Sequence, residues 1–320
     1  MTPRIAIIGT GAMGSVYAAH MAEAGYTVHA VDPWAAHVEA INSLGLRIEG
    51  PKGDRVVRNI RAATDIAALP PCDLYVIATK ASGVADAAKA LAQVMPPEAL
   101  VLTIQNGLGA GERIAAHLPV GQVMLGVADG FGASMRGPGH AHHNAMKLIR
   151  LGEMPGGMTD RLRALEALWA GAGFTARAFE DINLLIWEKF LCNVASAAPC
   201  TLFDCTVGTL RQTPEWWDVA VSCAREAFAV GRAEGIRFAF DDPVEHVSDF
   251  LALMPDASPS MRLDHLARRP SEIDAINGMV PLVGARHGIA APVNAALSAL
   301  VRGAEARFAP GNPTGDANGR

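Results

Sequence analysis

The chain has 320 residues, a length that favours two domains, each large enough to bury its own core. Its 27 basic and 32 acidic residues give a net charge of −5, without the basic stripe that a nucleic-acid partner requires. The longest apolar stretches, about ten residues, are too short to cross a bilayer, so we expect no membrane partner. The N-terminus favours a mature start over a signal peptide. An odd number of cysteines, set mostly in apolar segments, predicts reduced thiols in a cytoplasmic protein.

The first half of the chain alternates strand-like apolar runs with helical patterns, which is typical of a parallel sheet with crossover helices. The predicted strands are Arg4–Ile8, Thr27–Val31, Leu74–Thr79, Leu100–Ile104, Val123–Val127 and Thr175–Phe179. The predicted helices are Ser15–Ala24, Pro33–Leu44, Val84–Met95, Glu112–Leu118 and Asp160–Gly171. Further strands are predicted at Leu46–Ile48 and Arg55–Arg58 and within about Gly139–Gly152. This half is predicted to be a doubly wound α/β domain.

The second half is predicted to be entirely helical, because its apolar residues recur at helical spacing and strand patterns are lacking. The predicted helices span 181–198, 214–235, 242–253, 259–268, 272–287 and 291–307. We therefore expect one domain over residues 1–179 and a helical domain over residues 180–308. Residues 309–320, rich in Gly, Pro, Asn and Asp, are predicted to form a disordered tail.

A glycine motif follows the first predicted strand and precedes a predicted helix. It consists of Gly9, Thr10, Gly11, Ala12, Met13 and Gly14. Gly9 permits a tight turn, Gly11 lets a pyrophosphate approach the backbone, and Gly14 lets helix and strand pack closely. The unpaired N–H groups of a helix N-terminus favour an anion at this point. The context predicts a Rossmann-type dinucleotide site, and the alternative is a glycine turn that binds no nucleotide.

Asp32 ends the second predicted strand, where a carboxylate accepts the ribose hydroxyls of NAD and repels the 2′-phosphate of NADP. Since no arginine follows within the next several residues, we expect NAD to be preferred, with NADP as the alternative. Asp32 also has a structural interpretation, as a cap of the helix that begins near Pro33.

Further candidate residues lie at the ends of the next strands, where ligands bind in open α/β sheets. Thr79 and Lys80 follow one strand, and the chain holds only five lysines. Lys80 is a candidate charge partner for cofactor or substrate, and the alternative is a solvated loop lysine. Asn106, before Gly107, is predicted to bind the nicotinamide side of the cofactor, although it also suits a turn. Gly132 is predicted as another cofactor-binding position.

Lys189 lies on a helix that is apolar over most of its circumference, and Asn193 follows on the same face one turn later. Such a lysine either extends to water or serves a polar cleft. Beside a dinucleotide fold, a fixed ammonium group stabilises the charge that develops on a carbonyl oxygen during hydride addition and delivers a proton.

Two further segments suit either helix capping or a binding role. Ser260 suits a helix cap, and Glu272 suits a first-turn acid. Ser271 with Asp274 is similar to a capping box.

Taken together, these motifs resemble those of the ketopantoate reductase family (2-dehydropantoate 2-reductases) over nearly the whole chain. The motifs are the glycine loop, Thr79-Lys80, Gln105-Asn106-Gly107, Trp187-x-Lys189-x-x-x-Asn193, Ser260-Met261, Arg269–Gly278, and His287-Gly288-Ile289 with Pro292 and Asn294. The resemblance implies that Lys189 is the general acid, that Asn193 and Ser260 bind substrate, and that Glu272 contacts the cofactor. It also implies the roles at Lys80 and Asn106, and a homodimer formed through the helical domain.

The chain departs from the family pattern at four places. Ala195–Ala198 replaces a stretch with a second asparagine, Ala257 replaces an asparagine, Val207 replaces a polar residue, and Asp32 lies where the family has an arginine for NADP. We therefore expect hydride transfer between NAD(P)H and a small 2-oxo or 2-hydroxy acid, less polar than ketopantoate. The alternatives are NADPH-dependent reduction of ketopantoate itself, in pantothenate biosynthesis, and a non-catalytic nucleotide-sensing protein.

The active site is expected in the cleft between the two domains, and no metal is expected there. His140 and His142 share one face of a predicted strand, but a zinc site requires a third ligand and an orienting partner. We interpret these two histidines as ordinary polar residues of a strand.

Overall fold

The computed structural model describes residues 2–130, 132–145 and 147–308. The chain divides into two compact units. The first comprises Met1–Gln105 and Ala110–Ile182, and the second comprises Asn106–Gly109 and Asn183–Arg320. The predicted tail at 309–320 lies outside the described residues. No pattern in the sequence indicates that the short segment 106–109 groups with the helical half.

The first unit contains twelve strands and five helices in its described part. In chain order these are β1 (Arg4–Ile8), α1 (Ala12–Glu23), β2 (Thr27–Val31), α2 (Ala35–Leu44), β3 (Leu46–Glu49), β4 (Arg55–Val57), β5 (Ile60–Ala63), β6 (Leu74–Ile77), α3 (Val84–Leu91), β7 (Leu100–Thr103), α4 (Ala110–Ala115), β8 (Val123–Asp129), β9 (Gly132–Gly137), β10 (His140–Ala145), β11 (Leu148–Glu153), α5 (Asp160–Gly171) and β12 (Ala176–Ala178).

Eight of these strands form one sheet in the order β12-β11-β8-β7-β6-β1-β2-β5. Strands β5, β2, β1, β6, β7 and β8 run parallel, while β11 pairs antiparallel with β8 and parallel with β12. The central strands are buried along almost their whole length, because the sheet is covered on both faces. Strands β2, β1, β6 and β7 are neighbours in this order and run parallel, so their carboxyl ends lie at one edge of the sheet. A doubly wound sheet binds its ligand at such an edge.

A smaller sheet has the order β4-β3-β10-β9. Its strands β3 and β4 form the expected hairpin, and β10 lies parallel to β3. Helix α1 packs against this sheet as well as against the large one, so the core around Tyr17 and Trp169 continues under both.

The second unit is helical in its described part. Its helices are α6 (Ile182–Leu202), α7 (Val207–Gln212), α8 (Pro214–Ala233), α9 (Pro243–Ala252), α10 (Ser260–Leu266), α11 (Met279–Arg286) and α12 (Pro292–Glu305). Its apolar core contains Leu191, Val230 and Val280, together with Leu108 from the short segment 106–109.

The predicted α/β class with a helical C-terminal region is confirmed, and most element boundaries agree within a few residues. The helix predicted at 272–287 is wrong in its first half, because helix α11 begins only at Met279. The Ala275 carbonyl accepts a hydrogen bond from the Leu108 N–H (2.9 Å), and the segment before Met279 forms turns instead. The sequence analysis also missed α7, β5 and β9, which are short or weakly apolar.

None of the helices in the described part of the chain is long and apolar enough to span a membrane.

Candidate functional site

The glycine loop links β1 to α1 in the first unit, and two of its glycines are required by close backbone contacts. Gly9 has φ +87°, and a Cβ there would lie 2.7 Å from the Thr79 nitrogen. A Cβ on Gly14 would lie 2.0 Å from the Gly9 carbonyl oxygen. Both distances are shorter than any van der Waals contact, so this loop shape requires glycine at both positions.

Gly11 differs from these two glycines, because a Cβ there would meet no atom within 4 Å. It occupies the N-cap position of α1 and brings no side chain to the amide groups of the first turn. The N–H groups of Ala12 and Met13 therefore have no acceptor within the helix and none on the side chain of the cap residue, as expected where a diphosphate binds. The open space at Gly11 fits the close approach of such a group to the backbone.

The loop lies against the end of β2. The N–H groups of Gly9 and Thr10 both donate to the Val31 carbonyl, at 2.8 and 3.2 Å, which brings Asp32 beside the loop. One carboxylate oxygen of Asp32 accepts the Trp34 N–H at 3.0 Å. The cap of α2 is Trp34, so Asp32 closes the turn before that helix and is not its N-cap.

The ends of β6 and β7 are joined by Gln105. Its side-chain amide donates to the carbonyls of Ile77 (2.8 Å) and Thr79 (3.2 Å), and its side-chain oxygen accepts from the Thr103 hydroxyl. Lys80 follows at the start of a short 3₁₀ turn, Ala81–Gly83, and is exposed. Gln105 belongs to a motif noted in the sequence. Its role in joining the two strand ends was not predicted, because that role depends on the neighbouring strand.

Two buried hydroxyl groups at the loop have no hydrogen-bond partner in the described structure. They are Oγ1 of Thr10 and Oγ1 of Thr79, whose methyl group lies close to Gly9. A buried hydroxyl without a partner costs about 1–3 kcal/mol, so each suits a polar ligand. Together with the open space at Gly11, these hydroxyls fit the dinucleotide that the loop predicts.

Helix α6 of the second unit carries Lys189 and Asn193. Both side chains are half-buried, while Phe190, Leu191 and Cys192 between them are buried in the core. The four-residue spacing places the two polar groups one turn apart on one face of the helix. The same face can therefore present an ammonium group and an amide together.

Three segments of the second unit converge near Asn193. The Asn277 amide donates to the Val194 carbonyl at 2.8 Å, which fixes the turn segment 272–278 against α6. That segment contains Glu272, and its Ala275 carbonyl holds the Leu108 N–H two residues after Asn106. Asn106, Glu272 and Asn193 thus lie on three segments that are hydrogen-bonded in series.

A buried network supports this arrangement, and sequence analysis missed its role. Asn277 also donates to the Asn294 side chain (2.9 Å), and Asn294 in turn donates to Glu226 (2.8 Å). Glu226 accepts the N–H groups of Val293 and Asn294 at the start of α12. Asn277 and Asn294 belong to motifs noted in the sequence, but only the fold shows that the network connects α6, α8 and α12.

Several structural alternatives for these residues are wrong. Ser260 is the first residue of α10, after the Pro259 cap, and is exposed. Glu272 lies in turns, not in the first turn of a helix. The capping box of Ser271 and Asp274 does not form, since Asp274 pairs with Arg302 at 2.7 Å and the Ser271 hydroxyl is buried without a hydrogen-bond partner.

The remaining candidates lie elsewhere in the first unit. Gly132 begins β9, the edge strand of the small sheet. On β10, Nε2 of His140 lies 3.1 Å from Oε1 of Glu49 of β3, and Nδ1 of His142 lies 3.7 Å from Oε2 of the same residue. Within residues 2–130, 132–145 and 147–308, no group of three or more His, Cys, Asp or Glu side chains is arranged to hold a metal ion.

Comparison with known proteins identifies the family. The family model described as "Ketopantoate reductase PanE/ApbA" matches residues 5–156, and its C-terminal counterpart matches residues 181–305. A 2-dehydropantoate 2-reductase of Nostoc sp. is 30% identical over 86% of this chain and 86% of its own length. The chain belongs to the ketopantoate reductase family.

Other similar proteins cover still more of the chain. A 2-dehydropantoate 2-reductase of Streptococcus pyogenes is 29% identical over 94% of this chain and 97% of its own. The crystal structure of a PanE/ApbA family ketopantoate reductase from Ralstonia eutropha has a TM-score of 0.87 at 30% identity, over 95% of this chain and 99% of the other. D-mandelate dehydrogenase, in a ternary structure with NADH and anilino(oxo)acetate, shares the fold (TM-score 0.88, 24% identity, 95% and 99% covered).

Membership of the ketopantoate reductase family makes the protein an NAD(P)-dependent oxidoreductase acting on a carbonyl group. The first family model spans the glycine loop, Asp32, Lys80 and Asn106, and the second spans the chain from Lys189 to Glu272. The comparisons thus cover the segments that carry the candidate residues.

Proposed function

We propose that this protein transfers hydride between NAD(H) and the carbonyl carbon of a small 2-oxo acid, with Lys189 as the general acid. The observation that carries the proposal is the half-buried Lys189 on α6, one turn before the half-buried Asn193, with the buried residues Phe190, Leu191 and Cys192 between them. Its ammonium group can therefore act together with the Asn193 amide on one face of the helix.

Reduced nicotinamide, when bound, supplies the hydride. The Gly9–Gly14 loop would hold the diphosphate over the N-terminus of α1, with the Thr10 and Thr79 hydroxyls as further polar contacts. Lys189 stabilises the negative charge that develops on the substrate oxygen and donates the proton that completes the alcohol. Asn193 and Ser260 position the substrate, while Lys80, Asn106, Gly132 and Glu272 are assigned to ligand binding.

Asp32 supports NADH over NADPH as the cofactor. One of its oxygens is held by the Trp34 N–H at 3.0 Å, which fixes the carboxylate beside the glycine loop. A carboxylate in this place accepts the two ribose hydroxyls and repels a 2′-phosphate.

The substrate is proposed to be less polar than ketopantoate. Val207, Ala257 and the Ala195–Ala198 stretch carry no side-chain amide, and Ser196 uses its hydroxyl to donate to the Cys192 carbonyl at 2.8 Å. The family relatives named 2-dehydropantoate 2-reductase favour ketopantoate with NADPH as the second candidate.

A pair of substrates that differ by one hydroxyl group tests this proposal. Ketopantoate and 3,3-dimethyl-2-oxobutanoate would each be assayed with NADH and with NADPH, following the loss of nicotinamide absorbance. We expect kcat/KM for the deoxy substrate to be at least equal to that for ketopantoate, with NADH preferred. If the site bonded the extra hydroxyl, ketopantoate would be favoured by about fivefold or more, as one buried hydrogen bond predicts, and the less polar substrate would be rejected.

A further inference from the structure

His37, on helix α2, is completely buried and lies against the glycine loop. Its Nε2 lies 2.9 Å from the Thr10 carbonyl oxygen, inside the loop. Its Nδ1 lies 2.8 Å from the backbone nitrogen of Gly139, at the turn before β10. The imidazole therefore connects the loop to the small sheet.

These two partners determine the protonation state of the ring. The Gly139 N–H can only donate, so Nδ1 must be the acceptor and carry no proton. The Thr10 carbonyl can only accept, so Nε2 must carry the proton. Both bonds together require neutral His37 in its Nε2–H tautomer, and an imidazolium ring would direct an N–H at another N–H.

The Thr10 carbonyl is held from two sides. It accepts from His37 and also from the Ser15 hydroxyl at 2.8 Å, so its peptide plane has a fixed orientation. That plane continues into Gly11, the residue that faces open space. The orientation of the Thr10 carbonyl thus fixes how the Gly11 N–H points into the space predicted for the diphosphate.

We propose that His37 is a positioning residue for the dinucleotide, which keeps the loop in its binding conformation only while its imidazole is neutral. The inference rests on the proposed function insofar as the loop binds NADH. His37 does not contact the cofactor in this proposal, but acts through the backbone of Thr10.

The burial of His37 favours a neutral ring near neutral pH. Burial lowers the pKa of His37 below its ordinary value, and this effect exceeds that of Asp32, the charged group at the end of β2 that raises it. The loop and the turn before β10 present backbone groups to the ring, and Trp34 stacks on it at 5.3 Å. As the pH falls through the lowered pKa, the ring gains a proton and cofactor affinity is lost.

The first test concerns the free protein and requires no turnover. Nitrogen NMR of protein labelled at histidine should give a pyridine-type shift for Nδ1 of His37 and a pyrrole-type shift for Nε2 at neutral pH. Two matched imidazolium-type shifts at neutral pH would overturn the proposal.

The second test measures NADH affinity by fluorescence titration between about pH 5 and 8. His37→Gln keeps a donor for Thr10, His37→Asn keeps an acceptor for Gly139, and His37→Phe keeps neither. We expect about a tenfold loss of affinity in His37→Phe, smaller losses in His37→Asn and His37→Gln, and no acid limb in any of them. His29→Gln serves as the control, because His29 is a second buried histidine and lies on β2. We expect this variant to have wild-type NADH affinity and an unchanged acid limb.

The outcomes separate this inference from the proposed function. Unchanged NADH affinity in folded His37→Gln, His37→Asn and His37→Phe would overturn the inference while leaving turnover of the oxo acid intact. An acid limb that persists in His37→Gln would overturn it as well. Wild-type protein that binds NADH with the predicted pH dependence but reduces no 2-oxo acid would remove the proposed function and leave the role of His37 standing. A merely structural role would lower kcat and the melting temperature without removing the acid limb.

Discussion

The glycine loop of the first unit and the Lys189 face of the second are built in opposite ways. In the loop, the backbone forms the proposed cofactor site, and side chains are excluded at Gly9 and Gly14 by contacts of 2.7 and 2.0 Å. On α6, the backbone is helical, and the proposed catalytic site consists of the side chains of Lys189 and Asn193. The loop is therefore sensitive to added atoms, whereas the helix face is sensitive to lost functional groups.

This difference predicts that damage to the two regions is detected by different measurements. Damage to the loop should appear in the dissociation constant of the cofactor, since the loop is proposed to hold the diphosphate, a part of the cofactor that does not react. Damage to Lys189 should appear in turnover, because its charge is needed when the substrate oxygen becomes negative.

The largest effect is expected at Lys189. Lys189→Met keeps the length of the side chain but removes the ammonium group, so kcat should fall by about 10²–10⁴ while NADH affinity stays near normal. Steady-state kinetics and NADH titration measure the two quantities. Lys89→Met, on the exposed side of α3, is the matched control and should leave both unchanged. Equal turnover in Lys189→Met and Lys89→Met would exclude Lys189 as the proton donor.

The next effect is expected within the loop, where two glycines separate packing from binding. Gly14→Ala places a methyl group against the Gly9 carbonyl, so both the melting temperature and NADH affinity should fall, the latter by about a hundredfold. Gly11→Ala adds a methyl group to open space, so stability should be retained while affinity falls. Gly121→Ala, where the methyl group also meets nothing, should change neither. A Gly11→Ala variant that binds NADH normally would show that no ligand approaches there.

A smaller effect is expected at Asp32. Asp32→Ala removes an acceptor of two charge-assisted hydrogen bonds, so NADH affinity should fall by roughly ten- to a hundredfold while NADPH affinity changes little or rises. Fluorescence titration with both cofactors measures this ratio. Should wild-type protein already bind NADPH more tightly than NADH, the assigned cofactor preference would be wrong.

The smallest effect is expected in the stability of the first unit at acid pH. His20 in the first unit is buried, and burial, followed by the nearby Lys52, lowers its pKa to about 4. Its unfolded-state pKa is near 6.5, so stability is complete above that value and is lost as the pH falls toward 4. The contribution of His20 to the free energy of unfolding should therefore drop by about 2 kcal/mol between pH 7 and 5.

The control for this prediction is a second histidine of the same unit. His20→Gln should remove most of that acid-dependent loss, whereas His117→Gln, on the surface, should retain it. Urea unfolding at both pH values measures the difference. Equal acid dependence in the two variants would assign the loss to other groups.

The loop could be predicted from the sequence because the pattern that identifies it lies within a few residues. A strand, three glycines and a helix in succession define the turn and predict its ligand, and β1 and β2 were predicted with their observed bounds. The carboxylate of Asp32 was predicted for the same reason, since it ends the next strand.

The second site was less accessible from the sequence because its parts are distant in the chain. Lys189 and Asn193 were predicted from their helical spacing, but the contact between Leu108 and Ala275 spans more than half of the chain. That contact also explains why Ile273 and Ile276, which match a helical pattern, lie in turns. His37 carried no sequence pattern at all, because its importance depends on two backbone groups from other segments.

The segment Asn106–Gly109 has a practical consequence for protein engineering. A fragment cut at the boundary near residue 182 would contain every helix of the second unit and would still lack Leu108, whose side chain completes that unit's core. Chimeras between relatives should therefore exchange this four-residue stretch together with the helical half, or the transplanted half will carry a void where the leucine belongs.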